Sequence, residues 1–265
     1  MTEYTPPVSG LLKLGEPAHL GRAIDYAALG FGPAHIPELI RLLNDNELAF
    51  GDSDTPEVFA QVHAWRVLGQ LRASEAVEPL LDLLAKQEGD EWNDWAMDEV
   101  PGVLAQIGPS IIPLVVARLE QRGQQESAPS FYADTLQEVA HRFPDVRAEV
   151  VAQLCRVLET ATANNAALNG LIVVDLIDLE ADDAWPVIEA AFATGNVDET
   201  IAGDAPDVKW QLGLGPKPPP RRYDTLGVAK QGWKPPVQGG SNAKQRFNER
   251  QKKKKVEKKN KKKRK

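Results

Sequence analysis

A proline at a fixed place in a recurring apolar frame constrains this chain more than any other feature. The segments GPAHIPELIRLL (32–43) and GPSIIPLVVARL (108–119) share glycine, both prolines, an isoleucine and the final leucine at a constant offset of 76. Between them, Pro79 in EPLLDLL takes the place of Pro37 and Pro113, and Pro186 in AWPVIEAAF lies 73 residues beyond Pro113. A further unit, FPDVRAEVVAQLCRVL (143–158), fits midway in that gap without a proline at the equivalent position. Five units of roughly 35–42 residues result, in the range of helical repeats. Proline is tolerated in the first turn of a helix, where its missing N–H has no intrahelical partner to lose, so each one marks a helix start.

Apolar residues then follow at helical spacing, as in Leu80, Leu81 and Leu84, or Val150, Val151, Leu154, Val157 and Leu158. Upstream lie further helix-like runs: EVFAQVHAWRVLGQL (57–71), ADTLQEVAHRF (133–143) and ALNGLIVVDLIDL (167–179). Gly30, Gly69 and Gly108 fall near the ends of such runs, where a left-handed cap or close packing favours glycine. No stretch alternates with period 2. The expected fold class is therefore all-α, built of helical hairpins that bury their apolar stripes against one another.

The residues GPxxIPxLIxLL followed by AWRxLGQLRxxxAVEPLLDLL resemble HEAT repeats of the short bacterial, phycobilisome-lyase-like type. The likeness spans about residues 16–215 and implies a right-handed α-solenoid of about five HEAT-like hairpins. It also implies a protein-binding platform, and, as the alternative function, a bilin lyase or isomerase. It assigns no lyase residue here. No His-Glu pair of the kind that holds iron in HEAT-repeat hydroxylases is present.

The formal charge of −7 hides two opposite segments. Residues 217–265 hold 19 Lys and Arg against three acids, a balance of +16, whereas residues 1–216 hold 12 against 35, a balance of −23. The expected organisation is a loose N-terminal arm (1–14), the helical array (15–215), a Pro/Gly-rich linker (216–245) and a Lys-rich, disordered tail (246–265). Asp204 is the expected cap of a closing helix in which Trp210 and Leu212 seal the last apolar face. A single cysteine, Cys155, fits a reducing compartment, and no leader-like segment opens the chain, so a cytoplasmic protein is expected. The longest apolar run, LIVVDLIDL (171–179), is interrupted by Asp175 and Asp178 and is too short to span a bilayer.

Motifs for catalysis are missing. The four histidines, His19, His35, His63 and His141, sit on different units, and there is no nucleophile elbow, phosphate-binding loop or metalloprotease helix. GDSDTPE (51–57) reads as a loop and helix cap rather than a calcium loop. No catalytic, cofactor-binding or metal-binding residue, and no small-molecule substrate, is expected. Trp92 and Trp95 share one helix face amid five acids from Glu88 to Asp98. They are read either as core or as anchors for a protein partner. Asn169 is a second candidate contact, in the groove of the array. The tail residues Lys252, Lys253, Lys254, Lys255, Lys258, Lys259, Lys261, Lys262, Lys263, Arg264 and Lys265 are candidates for binding RNA, the ribosome or another polyanion. Six phosphate contacts would give a log–log salt slope of about −4 to −5.

Overall fold

The computed structural model describes residues 3–17, 24–49, 55–86, 94–121 and 128–219. The chain divides into two units, Met1–Pro218 and Pro219–Lys265, and apart from Pro219 the described residues belong to the first. All regular structure among them is helical, and they contain no strand. In chain order the helices are α1 (Val8–Leu11), α2 (Ile36–Leu43), α3 (Asn46–Ala49), α4 (Ala60–Gln70), α5 (Val77–Ala85), α6 (Asp94–Ile107) and α7 (Ile112–Leu119). They continue with α8 (Ala128–Arg142), α9 (Arg147–Leu158), α10 (Ala166–Asp178), α11 (Trp185–Ala193), α12 (Glu199–Ala202) and α13 (Ala205–Gln211).

The aligned prolines begin corresponding helices. Pro37, Pro113 and Pro186 stand second in α2, α7 and α11, and Pro79 stands third in α5. Each of these helices, and α9, is entered through a three-residue 3-10 turn: Pro33–His35, Ser74–Ala76, Pro109–Ile111, Pro144–Val146 and Asp182–Ala184. Three of those turns begin with a proline, whose fixed φ suits the tight winding.

Three of these turns are reached by a second recurring device. Phe31 N–H donates to Tyr26 O (3.2 Å), Ala73 N–H to Leu68 O (3.0 Å) and Ala181 N–H to Leu176 O (3.0 Å). This is the reversed bond that ends a helix when the preceding residue is left-handed. Gly30 supplies that residue at φ 90°, as expected, but Arg72 (φ 51°) and Glu180 (φ 56°) supply it elsewhere without being glycine.

Each long helix packs on the next: α4 on α6, α6 on α8, α8 on α10. The proline-started helices α2, α5 and α7 pack on the long helix that follows, on α4, α6 and α8 respectively, and α9 packs likewise on α10. One apolar cluster runs through the contacts, with Leu39, Trp65, Leu68, Leu81, Leu104, Leu136, Leu154, Ile172 and Ile188 all at zero exposure. Burying each such side chain contributes about 1.5–3 kcal/mol. The far end is closed by α12 against α10 and α13 against α11. Asp204 caps α13 by accepting from Asp207 N–H (3.0 Å), and Leu212 is buried, as the sequence led us to expect.

Two expectations need correction. The first unit has no described long helix ahead of α2, only α1 and the turn Tyr26–Gly30. The segment read as a loose arm is instead docked where it is described. Val8 and Leu11 are fully buried, Thr5 bonds Glu38 through both N–H (2.8 Å) and Oγ1 (2.7 Å), and Arg41 donates to Glu3 O (2.8 Å). A four-residue helix carries too few residues for periodicity to reveal its apolar face.

Candidate functional site

Polar side chains gather in two places between the long helices. Where α4 meets α6, the apolar stripe is broken by Trp65, Arg66 and Glu99. The Glu99 carboxylate accepts from Trp65 Nε1 (3.1 Å) and from Arg66 Nε (2.8 Å), and it is bridged by Arg66 Nη2 as well. This is a fork-like, charge-assisted pair. The bond to Glu99 raises the Arg66 pKa against the opposing effect of burial.

The same helix carries His63, at zero exposure. Its Nδ1 lies 2.8 Å from Tyr26 Oη and its Nε2 lies 2.9 Å from Gly15 O. A carbonyl only accepts, so Nε2 carries the proton and Tyr26 donates to Nδ1. Burial pulls the His63 pKa down and pushes Tyr26 up to about 12. The neutral imidazole ties two preceding segments to α4, and with both rings buried the pair is structural.

Where α8 meets α10 the chemistry differs. Asp134 and Glu138 are one turn apart on α8, and Asp175 and Asp178 share a face of α10. Asp175 is 3% exposed and its Oδ2 has no hydrogen-bond partner. Gln137 Nε2 donates to Asp178 Oδ2 at 3.3 Å. Burial, then the carboxylates of Asp134, Asp178 and Glu138, push Asp175 well above the usual carboxyl range. Burial, then Glu138, push Asp134 to about 7. Burial and like charge together favour the protonated form of this seam. Among the described residues, no three His, Cys, Asp or Glu side chains are placed to hold a metal ion.

This acidic seam was not singled out from sequence, although a signal existed. Asp175 and Asp178 are the two charges inside the longest apolar run, and a helix apolar on every side must bury what interrupts it.

Of the sequence-derived candidates, Trp95 is half-buried, packs on the core and lies edge-on to Phe59 with ring centroids 6.3 Å apart. Trp92 and the basic residues Lys252–Lys265 lie outside the described residues. Asn169 is not a groove contact. It is fully buried, its Nδ2 donates to Ala161 O (2.9 Å) and Asn196 O (2.6 Å), and its Oδ1 accepts from Asn164 Nδ2 (2.9 Å). The chain returning through Asn196 closes over it, a contact 27 residues away that helix periodicity does not register. Asn165, by contrast, caps α10, accepting from Leu168 N–H at 2.7 Å.

No protein-family model, curated protein or solved structure matches the chain. Among the described residues, no single helix is long and apolar enough to cross a membrane.

Proposed function

We propose that the chain is a non-enzymatic interaction scaffold of the cytoplasm. In this reading residues 15–215 form a right-handed α-solenoid of about five HEAT-like hairpins whose acidic body grips a protein partner. The linker 216–245 carries the polybasic tail 246–265, which tethers the assembly to RNA, the ribosome or another polyanion.

The observation that carries the reading is the repeated entry device, a 3-10 turn followed by a helix, which in four of five cases packs on the next long helix. Units built this way expose side chains along successive helices, the arrangement from which repeat proteins make extended binding surfaces. The opposite charges of the two segments support a division of labour. A body with 35 acids against 12 basic groups repels phosphate, while the tail attracts it.

Affinity capture with the full-length chain, with and without ribonuclease, tests both halves. A second chain carries glutamine at the eleven basic positions of 252–265. Retention on RNA at low salt should fall at least ~100-fold in that variant, given a loss of several phosphate contacts. Protein capture should persist. Unchanged RNA retention sinks the tether, and absence of any ribonuclease-resistant partner sinks the scaffold.

A further inference from the structure

The segment 3–17 covers the first unit, with α1 packed on α4 and with Val8 and Leu11 buried. Two sets of bonds hold it. At its start, Glu38 of α2 takes Thr5, Arg41 takes Glu3 O and lies 4.7 Å over the Tyr4 ring, and Tyr4 Oη donates to Asp45 Oδ2 (2.7 Å). Near its end, His63 Nε2 donates to Gly15 O, while Nδ1 accepts from Tyr26, which heads the turn leading to α2. One imidazole at zero exposure thus fastens both described segments that precede α2.

We propose that His63 is an acid-operated latch: on gaining a proton it releases the segment 3–17 from α4 while the later helices stay folded. The latch stands apart from the scaffold reading and does not depend on it.

Both ring nitrogens are already committed, Nε2 as donor and Nδ1 as acceptor. A second proton turns Nδ1 into a donor, so the Tyr26 hydroxyl must reverse and its hydrogen loses the acceptor it has. The new charge also lies away from water. Arg66, one turn along α4, opposes it, and Glu99 of α6 favours it but is already bridged by Arg66. Of the other elements on α4, α1 carries no charge, Glu38 and Arg41 of α2 are engaged with the segment's start, Glu47 of α3 is exposed and Glu57 just before α4 is half-buried. The fastened segments themselves carry Lys13, Glu16 and Asp25. Burial dominates and holds the docked ring below the ordinary 6.5. The bonds at the segment's start keep their charge, because Thr5 holds the Glu38 carboxyl below its usual range. A ring kept neutral when docked and titrating near 6.5 when released makes the release constant rise about tenfold between pH 7.5 and 5.5. With α4 still packed on α2 and α6, the opening is local.

The test follows amide exchange of the full-length chain at pH 7.5, 6.5 and 5.5, expressed as protection factors so that the intrinsic pH dependence of exchange cancels. The bonded amides of Ser9, Gly10, Lys13 and Leu14 report the segment. Their protection should fall about tenfold from pH 7.5 to 5.5, while that of α5 and α7 holds. His63→Gln keeps a neutral donor and acceptor and should remove the pH dependence. Glu38→Gln should lower protection of the segment several-fold at every pH and leave its pH dependence intact. Imidazole nitrogen shifts of the unaltered chain give a reading that needs no variant to fold: His63 should be the Nε2–H tautomer and stay neutral at pH 6. Protection of the segment that ignores pH, a fall shared equally by α5 and α7, or a pH dependence that persists in His63→Gln overturns the latch. A docked His63 ring that titrates at 6.5 or above overturns it as well.

Discussion

The α4–α6 and α8–α10 junctions place carboxyl groups between long helices in the same way, yet they resolve the charge oppositely. Glu99 is met by Arg66 and by the Trp65 indole, so its partners are built in. Asp134 and Asp175 are met by other carboxylates, and burial with that repulsion favours their protonated forms. The first junction is locked and the second responds to its surroundings. Helix packing of one kind thus buries an ion pair at one junction and mutually repelling carboxyl groups at the other.

The largest expected effect lies on the locked side. Glu99→Ala leaves Arg66 half-buried without its anion and Trp65 Nε1 without an acceptor. After allowing for partial exposure of the pair, about 2–3 kcal/mol of stability should be lost. Urea unfolding measures it, and a loss under about 0.5 kcal/mol would erase the contrast. On the responsive side the sign reverses. Asp175→Asn removes charge that the fold resists and should raise stability at pH 8 by about 1–3 kcal/mol.

The N-terminal side of α4 and the α8–α10 junction should also titrate in opposite senses. His63 has a folded pKa below the ordinary 6.5, so the unfolded chain binds more protons near and below that value, and stability is lost as pH falls through it. Asp134 rises from the ordinary 3.8 to about 7. Between those values the folded chain holds a proton that the unfolded chain releases, so stability is lost as pH rises through that window. Amide exchange should show α4 losing protection toward pH 5 and α8 and α10 losing it toward pH 8. Parallel behaviour of the two regions would refute the distinction. His63→Gln should abolish the first trend alone, and Asp134→Asn with Asp175→Asn the second.

Two smaller effects probe the frame that holds the junctions. A Cβ at Gly170 would sit 3.0 Å from Asp198 O and 3.2 Å from Ile201 Cβ, so Gly170→Ala should cost about 1–3 kcal/mol by forcing the closing segment off α10. Glu180→Gly relieves a left-handed φ of 56° and should add up to about 1 kcal/mol, read from the thermal midpoint.

Much of the helical frame was legible because its signals are local. Pro37, Pro79, Pro113 and Pro186 disclose helix starts through the geometry of one turn, and Asp204 discloses a cap through a bond to a neighbour three residues on. Arg72 and Glu180 were not legible. Their left-handed backbone is imposed by the packed hairpin and carries no glycine to announce it. Asn169 looked like a polar groove residue because nothing near it in sequence foretells Asn196 arriving above it. Asp134 and Glu138 resembled any solvated pair one turn apart until α10 was laid across them.

By itself, the sequence determined that this protein is helical, where its short helices begin and how its charge divides along the chain. Each of those follows from a residue and its close neighbours. Tertiary structure alone decided which carboxylates face an arginine and which face each other, and that the first residues dock rather than trail. Coulomb energy and desolvation depend on distance and burial in space, and the register between packed helices sets both.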